Sequence, residues 1–129
     1  MSLYRVPVVA RNPKDEALAT PAVDALVDSG SELTWLPGDI LLAASIAPRR
    51  KRTFQTATKQ VVTRDVGYAI LASEGFETAD EVVFGEPGDM ALLGVRTLEG
   101  FGVQVDFIGH RMVAQLTIVA SCAEDVPAA

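Results

Sequence analysis

The residues best suited to chemistry form the tripeptide Asp28-Ser29-Gly30, which directly follows the apolar pair Leu26-Val27. Apolar residues before a carboxylate predict a buried strand that presents Asp28 at its end. Gly30 allows the backbone to turn sharply there, because glycine has no Cβ to clash. A carboxylate in this position, next to a hydroxyl, is suited to general acid and base catalysis. The alternative is an ordinary Asx-type turn in which Asp28 only stabilises the backbone.

Other catalytic groups are scarce, because the chain has one histidine and one cysteine, His110 and Cys122. A Ser-His-Asp triad would have to use His110, which lies in a predicted turn and is expected to be exposed. Cys122 cannot form an intramolecular disulfide, which indicates a reducing compartment. One histidine and one cysteine exclude the usual zinc ligand sets. We therefore expect no metal and no other cofactor, and carboxylates remain as the catalytic groups.

Length and charge limit the class of protein further. The 129 residues predict a single domain over 1–129, with a core at about 4–120 and a frayed tail at 121–129. The net charge of −6 argues against nucleic-acid binding, and no stretch approaches the apolar length of a membrane span. The one basic run, Arg49-Arg50-Lys51-Arg52, is interpreted as a solvated loop or strand edge. Because no signal-peptide segment is visible, we expect a cytoplasmic protein.

Short β-branched segments separated by turn residues recur along the chain, which predicts an all-β, barrel-like domain. Residues 38–47 have helical composition and end at Pro48, and a short C-terminal helix is predicted over residues 95–100. Residues 11–15 are predicted to be a polar turn. The predicted strands are residues 4–10, 22–27, 35–36, 50–55, 60–71, 77–84, 90–94, 102–107 and 112–119.

The order of these features resembles that of the retropepsin-like aspartic proteases, the retroviral-type single-domain family, including its bacterial members. The resemblance rests on Asp28-Ser29-Gly30 after an apolar strand, on a hairpin at residues 50–71, and on Ala91-Leu92-Leu93-Gly94 before a helix and a strand. It covers about residues 7–113. The tripeptide is short enough to occur by chance, so the specificity comes from the order and spacing of the three elements.

The resemblance implies a closed β-barrel with a short C-terminal helix, which assembles as a C₂ homodimer because each chain supplies one such Asp. The implied activity is that of an aspartic endopeptidase, in which paired Asp28 carboxylates, one per protomer, activate a water. Ser29 would bond across the dimer axis, and Gly30 would bond the substrate backbone. Leu93 and Gly94 would pass close beneath the Asp28 loop. The implied partners are a second copy of the chain and a peptide or protein substrate.

The resemblance also implies a set of substrate-binding residues. Ser31, Glu32 and Leu33 would line the floor of the cleft, and Leu92 would form part of an apolar pocket. The hairpin tip would close over the bound peptide as a flap and exclude water. The tip residues are Thr56, Ala57, Thr58, Lys59 and Gln60.

Two positions depart from the family pattern. The hairpin tip has no glycine, whereas retroviral flaps are rich in it, and Val95-Arg96 stands where Arg-Asn or Arg-Asp is frequent. The first departure bears on flap opening, and the second bears on the hydrogen bonds that hold the following helix. The alternative function is therefore a catalytically silent, dimeric peptide-binding or protein-interaction module on the same fold.

Overall fold

The computed structural model describes residues 4–116 of the chain. The predicted tail at 121–129, the last residues of the predicted strand 112–119, and Cys122 lie outside this part. No helix within residues 4–116 has the length and apolar character needed to cross a bilayer. The elements are β1 (Arg5–Asn12), β2 (Asp15–Ala19), β3 (Val23–Val27), β4 (Thr34–Pro37), α1 (Gly38–Ala43), β5 (Arg50–Gln55), β6 (Val61–Ser73), β7 (Phe76–Gly85), β8 (Leu92–Leu93), α2 (Val95–Phe101), β9 (Val103–Asp106) and β10 (Arg111–Ala114).

The fold is mostly β, as the sequence predicts. Eight strands form one sheet in the order β2-β1-β3-β8-β4-β7-β6-β5, and β9 and β10 form a separate two-stranded sheet. Strand β1 also pairs with β6. The hydrogen-bonded pairs therefore lead from β1 through β3, β8, β4, β7 and β6 back to β1, and β2 and β5 lie outside this ring. The ring brings together elements that are far apart in the sequence.

The core follows from the alternation of side chains along the strands. In β1, Val6, Val8 and Ala10 are fully buried, whereas Arg5 and Pro7 are exposed. Side chains two residues apart point to the same face of a strand, so this pattern directs one face inward. Most of the buried side chains form one large cluster. A second, smaller cluster contains Leu33, Val66 and Val83, and Trp35 and Phe54 pack against it.

The hairpin at residues 50–71 forms as predicted. β5 and β6 pair from Arg50 and Val66 at the base to Gln55 and Val61 at the tip. β6 then continues to Ser73 and pairs with β7 from Val66 onward. The hairpin is thus an extension of the central sheet beyond β7, and its tip lies at residues 56–60.

Several predicted segments differ from the structure. The strand predicted at 90–94 shortens to the two residues of β8, and the strand predicted at 112–119 ends at Ala114. The helix predicted at 38–47 ends at Ala43, because Ser45 takes a left-handed conformation with φ of 59°. The N–H of Ile46 then donates to the carbonyl of Leu41 at 3.0 Å, and Ile46 turns into the core. The predicted turn at 11–15 shortens to two residues, and β2 follows it. All five residues of β2 are exposed, so this edge strand has no apolar alternation that would identify it in the sequence.

Candidate active site

The backbone of Asp28 is fixed by a contact between β3 and β8. Leu26 and Val27 pair in parallel with Leu92 and Leu93. The N–H of Asp28, the next residue, donates to the carbonyl of Leu93 at 3.0 Å. Val27 and Leu93 are buried, so water does not compete for this pairing. The apolar strand therefore ends at Asp28, as the sequence predicts, and Leu93 lies beside it.

The carboxylate of Asp28 closes a tight turn. Its Oδ1 accepts a hydrogen bond from the N–H of Gly30 at 2.8 Å, and the N–H of Ser31 donates to the Asp28 carbonyl at 3.1 Å. Asp28 is half-buried, whereas Ser29 and Gly30 are exposed. The turn has the Asx form that the simpler interpretation of the sequence requires. It also holds the carboxylate in one orientation where another molecule can reach it.

Gly94 allows the start of α2 to approach the segment that follows Asp28. A Cβ at Gly94 would lie 2.9 Å from the carbonyl oxygen of Ser31, which is closer than real Cβ atoms come. The N–H groups of Val95 and Arg96 donate to the carbonyls of Ser31 and Glu32 at 2.8 and 3.0 Å. These bonds satisfy N–H groups at the helix start, where no side-chain cap is present. The loop and α2 thus fix one another.

A buried hydroxyl network lies under the site. The hydroxyl oxygen of Thr34 accepts a hydrogen bond from the N–H of Gly94 at 3.0 Å and lies 2.6 Å from the hydroxyl of Thr97. The Thr97 hydroxyl in turn donates to Asp80 at 3.1 Å. Thr34 and Thr97 are fully buried, and a buried hydroxyl needs such partners. The network therefore joins β4, α2 and β7 beneath the Asp28 loop.

Arg96, at the start of α2, attaches the helix to β7. The guanidinium of Arg96 contacts Asp80 at 3.4 Å and Glu81 at 3.1 Å, both on β7. Glu81 also pairs with Arg50 at 2.7 Å. Hydrogen bonding to Arg50, and then to Arg96, holds the pKa of Glu81 below its usual value although partial burial opposes this. The helix is thus held to β7 by charge-assisted contacts.

The three residues predicted to line the floor, and Leu92 of the predicted apolar pocket, occupy different environments. Leu33 is only 1% exposed and packs in the small cluster with Val66 and Val83. The Ser31 hydroxyl donates to the Leu33 carbonyl at 2.7 Å. Leu92 is half-buried in β8, and Glu32 is exposed. Ser31, Glu32 and Leu92 are therefore partly or fully accessible around the Asp28 loop, whereas the Leu33 side chain supports it from inside.

The hairpin tip is a closed turn without glycine. The N–H of Thr56 donates to the carbonyl of Gln60 at 2.8 Å, and the N–H of Lys59 donates to the carbonyl of Thr56 at 2.9 Å. Lys59 has a φ of 65°, so it takes the left-handed conformation that glycine commonly supplies. The hydroxyls of Thr56 and Thr58 lie 3.1 Å apart. Ala57, Thr58, Lys59 and Gln60 are exposed, so the tip is available for contact with a ligand.

Two contacts of the hairpin strands were not expected from the sequence. The ring of Phe54 in β5 lies 5.1 Å from that of Trp35 in β4. Arg64 in β6 makes two hydrogen bonds to Asp89, at 2.7 and 3.0 Å, and its guanidinium lies 6.0 Å from the Trp35 ring. Hydrogen bonding to Arg64 lowers the pKa of Asp89, and partial burial opposes this. The sequence shows a basic residue and an acidic loop here, but no signal that pairs them.

No three His, Cys, Asp or Glu side chains lie close enough to hold a metal ion in the part of the chain that the structure describes. The polar groups around Asp28 are backbone amides and hydroxyls, which suit a water or a peptide.

Comparison with known proteins gives a likeness at the level of fold. No protein-family model matches the chain, and no curated protein matches it significantly. One similar solved structure is a foamy viral protease-reverse transcriptase in complex with double-stranded DNA: TM-score 0.52, 17% identity, covering 76% of this chain and 15% of that chain. Another is a foamy viral protease-reverse transcriptase with an RNA/DNA hybrid: TM-score 0.54, 15% identity, covering 95% and 14%. The chain therefore spans about one seventh of these proteins, and the similarity concerns the fold.

Proposed function

We propose that the chain is a retropepsin-like aspartic endopeptidase that acts as a homodimer. In this proposal the ring of strands is the closed barrel of the family, and Asp28 of each copy contributes one carboxylate to a shared site. The observation that carries the proposal is the Asp28 loop, which is hydrogen-bonded to Leu93 on one side and to α2 on the other. The fold-level likeness to protease-reverse transcriptases supports it.

A second copy is needed because acid and base must both be present. Within residues 4–116, Asp28 has no hydrogen bond to another carboxylate, and its only side-chain bond is to the N–H of Gly30. Two carboxylates that face each other cannot both ionise, so they share one proton, and one serves as base while the other serves as acid. A two-fold axis through the loop would supply this pair from identical chains.

The reaction would then proceed without a covalent enzyme intermediate. The ionised Asp28 removes a proton from a water, whose oxygen attacks the carbonyl carbon of the peptide bond. The protonated Asp28 of the other copy gives its proton to the carbonyl oxygen. Collapse of the tetrahedral intermediate breaks the C–N bond, and a proton passes to the leaving amine. Since one carboxyl must stay protonated, cleavage is expected to be fastest at acidic pH.

Substrate binding in this proposal uses an extended peptide between the loop and the hairpin. The exposed Gly30 and the residues Ser31 and Glu32 would contact its backbone, and Leu92 would contact an apolar side chain. Ser29 would bond to the loop of the other copy. The hairpin tip at residues 56–60 would cover the peptide, with Lys59 fixing the turn.

The test is the substitution Asp28→Asn, which keeps the size of the side chain and removes its charge. Cleavage of a mixed peptide library is measured by mass spectrometry between about pH 3 and 7, around the usual carboxyl pKa. We expect wild-type cleavage to be lost in the variant. The matched control is Asp24→Asn, which removes an exposed carboxylate from the same strand and should leave cleavage unchanged.

The outcomes separate the two candidate functions. Equal cleavage by wild type and Asp28→Asn would exclude catalysis by Asp28. If the wild type cleaves nothing yet binds library peptides as a dimer, the chain is the silent binding module that the sequence left open.

A further inference from the structure

A second surface of the molecule, outside the Asp28 loop, combines an exposed aromatic ring with cations. Two adjoining depressions, of about 500 and 150 Å³, share Pro13 and Tyr68 in their lining. Arg96 lines the first depression, and Lys14 and Arg49 line the second. We call the surface formed by these five residues the Tyr68 surface. It is built mainly from β6, the β1–β2 turn and the segment before β5.

Tyr68 lies at the centre of this surface and is 49% exposed. The guanidinium of Arg49 lies 5.7 Å from the centre of its ring, within the range of a cation–π contact. The residue opposite Tyr68 on the neighbouring strand β7 is Glu81, and Glu81 forms an ion pair with Arg50. An exposed aromatic ring between arginines is a composition typical of protein-binding sites rather than of ordinary surface.

The surface is positively charged although the whole chain carries a net charge of −6. Lys14, Arg49 and Arg96 line it, and Arg50 and Arg52 adjoin it through their contacts with Glu81 at 2.7 and 3.6 Å. Asp80 and Glu81 also line the first depression, but they are paired with Arg50, Arg52 and Arg96 and compensate only part of this charge. Within residues 4–116 neither the Lys14 ammonium nor the Arg49 guanidinium forms an ion pair with a carboxylate.

The frame under the surface is well fixed. The side-chain amide of Asn12 donates to the carbonyls of Ala44 and Ser45 at 3.2 and 2.8 Å. These bonds tie the end of β1, directly before Pro13, to the end of α1. Gly67 lies so close to the carbonyl oxygen of Ala47 that a Cβ would approach it to 2.5 Å. A ligand would therefore meet preformed depressions, and little ordering would oppose its binding.

We propose that the Tyr68 surface binds a short acidic segment of a protein partner. The unpaired cations attract carboxylates, and the Tyr68 ring and Pro13 give an apolar contact for the side chains between them. A nucleic acid is the less suitable polyanion, because the net charge of the chain repels a long charged backbone. The proposal does not depend on Asp28 and stands apart from the proposed protease activity.

The test uses the full chain in its Asp28→Asn form, so that a labelled peptide is not cut. Fluorescence anisotropy measures binding of a fluorescein-labelled peptide of alternating glutamate and alanine, and of its counterpart with glutamine. We expect binding of the glutamate peptide only. The double substitution Lys14→Glu and Arg49→Glu should raise its dissociation constant about tenfold or more, since two attractions become repulsions. Raising the ionic strength from about 0.02 to 0.5 M should act in the same direction.

The matched control is Lys51→Glu, which reverses a charge on the same basic run. Unlike Lys14 and Arg49, Lys51 forms an ion pair, with Asp65 at 2.9 Å. It changes the net charge in the same direction and should leave most of the binding intact. Tyr68→Ser tests the apolar contact and should also weaken binding. Equal binding of both peptides, no effect of the double substitution, or an equal effect of Lys51→Glu would each overturn the proposal. So would tighter binding of a single-stranded oligonucleotide that the double substitution abolishes. Because each measurement is of binding, its failure says nothing about cleavage by the wild type.

Discussion

At the scale of single residues, the candidate site depends on neighbours that hold the backbone of a short loop. The Asp28 N–H is bonded to Leu93, and the Asp28 carboxylate is bonded to Gly30. Under the loop, Thr34 accepts from Gly94 and contacts Thr97. A carboxylate held from two sides keeps its orientation without relying on its own side-chain packing, and the proposed removal of a proton from a positioned water would require such an orientation.

The substitution Thr34→Val tests the buried hydroxyl. Valine has nearly the same shape but cannot accept from the Gly94 N–H, which would stay buried without a partner. We expect the free energy of unfolding to fall by about 1–3 kcal/mol, measured by denaturant titration. Thr63→Val is the control, because Thr63 contacts Thr53 at 3.3 Å on an exposed face and should change stability little. Equal stability of the two variants would contradict the importance of the network.

The position of Asp28 at the end of a buried strand was predictable from the sequence because the tripeptide and its apolar strand are contiguous. The contacts that support the loop from below were not predictable from the sequence. Thr34 and Gly94 are sixty residues apart, and nothing in a run of Thr, Trp and Leu distinguishes a hydroxyl under a loop from one on a surface. Leu33 illustrates the same limit, since the sequence places it beside the loop and the fold turns its side chain into the small core cluster.

At the scale of elements, the β5–β6 hairpin is joined to the rest of the domain through one face. On this face Phe54 packs against Trp35, and Arg64, whose guanidinium also lies near the Trp35 ring, bonds Asp89 in the loop after β7. Phe54 is one residue pair from the tip end of the hairpin and Arg64 is at its middle, whereas residues 57–60 are exposed. Motion of the tip that leaves these contacts in place would therefore involve residues 56–60 only.

Phe54→Ala removes the apolar contact of the hairpin. Since Phe54 is only half-buried, we expect a loss of about 1–2 kcal/mol, below the usual cost for a fully buried phenylalanine. Amide hydrogen exchange should rise in β5 and the tip and stay unchanged in β1. Thr53→Ala, at the neighbouring exposed position, is the control. An equal rise in amide hydrogen exchange across the whole domain of the Phe54→Ala variant would contradict a local role of Phe54 in the hairpin.

Acidification should weaken the other attachment. The pKa of Asp89 is lowered in the fold, chiefly by its hydrogen bonds to Arg64, so the ionised form stabilises the folded state. This stability is complete above the ordinary value of 3.8 and is lost as the pH falls through the lowered pKa. We expect the unfolding free energy of Asp89→Asn to fall less steeply below about pH 4 than that of the wild type.

The control for this pH effect is a double-mutant cycle with Arg64→Ala. If Arg64 causes the shift, Asp89→Asn should no longer change the slope once Arg64 is absent. A slope difference that persists in the Arg64→Ala background would assign the effect to another group.

Element positions were predictable where a local pattern existed. The hairpin and the helix after Gly94 follow from turn residues and apolar runs. The end of α1 and the existence of β2 were not predictable in this way. α1 ends where Ser45 is forced into a left-handed conformation by the return of Ile46 to the core. β2 has no buried face and pairs only through its backbone at the sheet edge.

At the scale of the whole molecule, the proposed activity makes the dimer the functional unit. Mixing wild-type chains with an excess of Asp28→Asn chains should lower the activity per wild-type chain, because most wild-type copies would then sit in mixed dimers with one carboxylate. The activity per chain should also fall on dilution, and light scattering should show dissociation over the same range. Activity proportional to the wild-type concentration under all these conditions would indicate that one chain suffices.

Strand β8 has a consequence for how the chain acquires its site. Only two residues long, it lies between β3 and β4, although its sequence follows both of them by more than fifty residues. Contacts of such separation form late, because the chain must close a long loop first. During synthesis the ribosome releases Asp28 well before Leu93, its backbone partner. A nascent chain that stalls before residue 92 therefore carries the carboxylate but has no site.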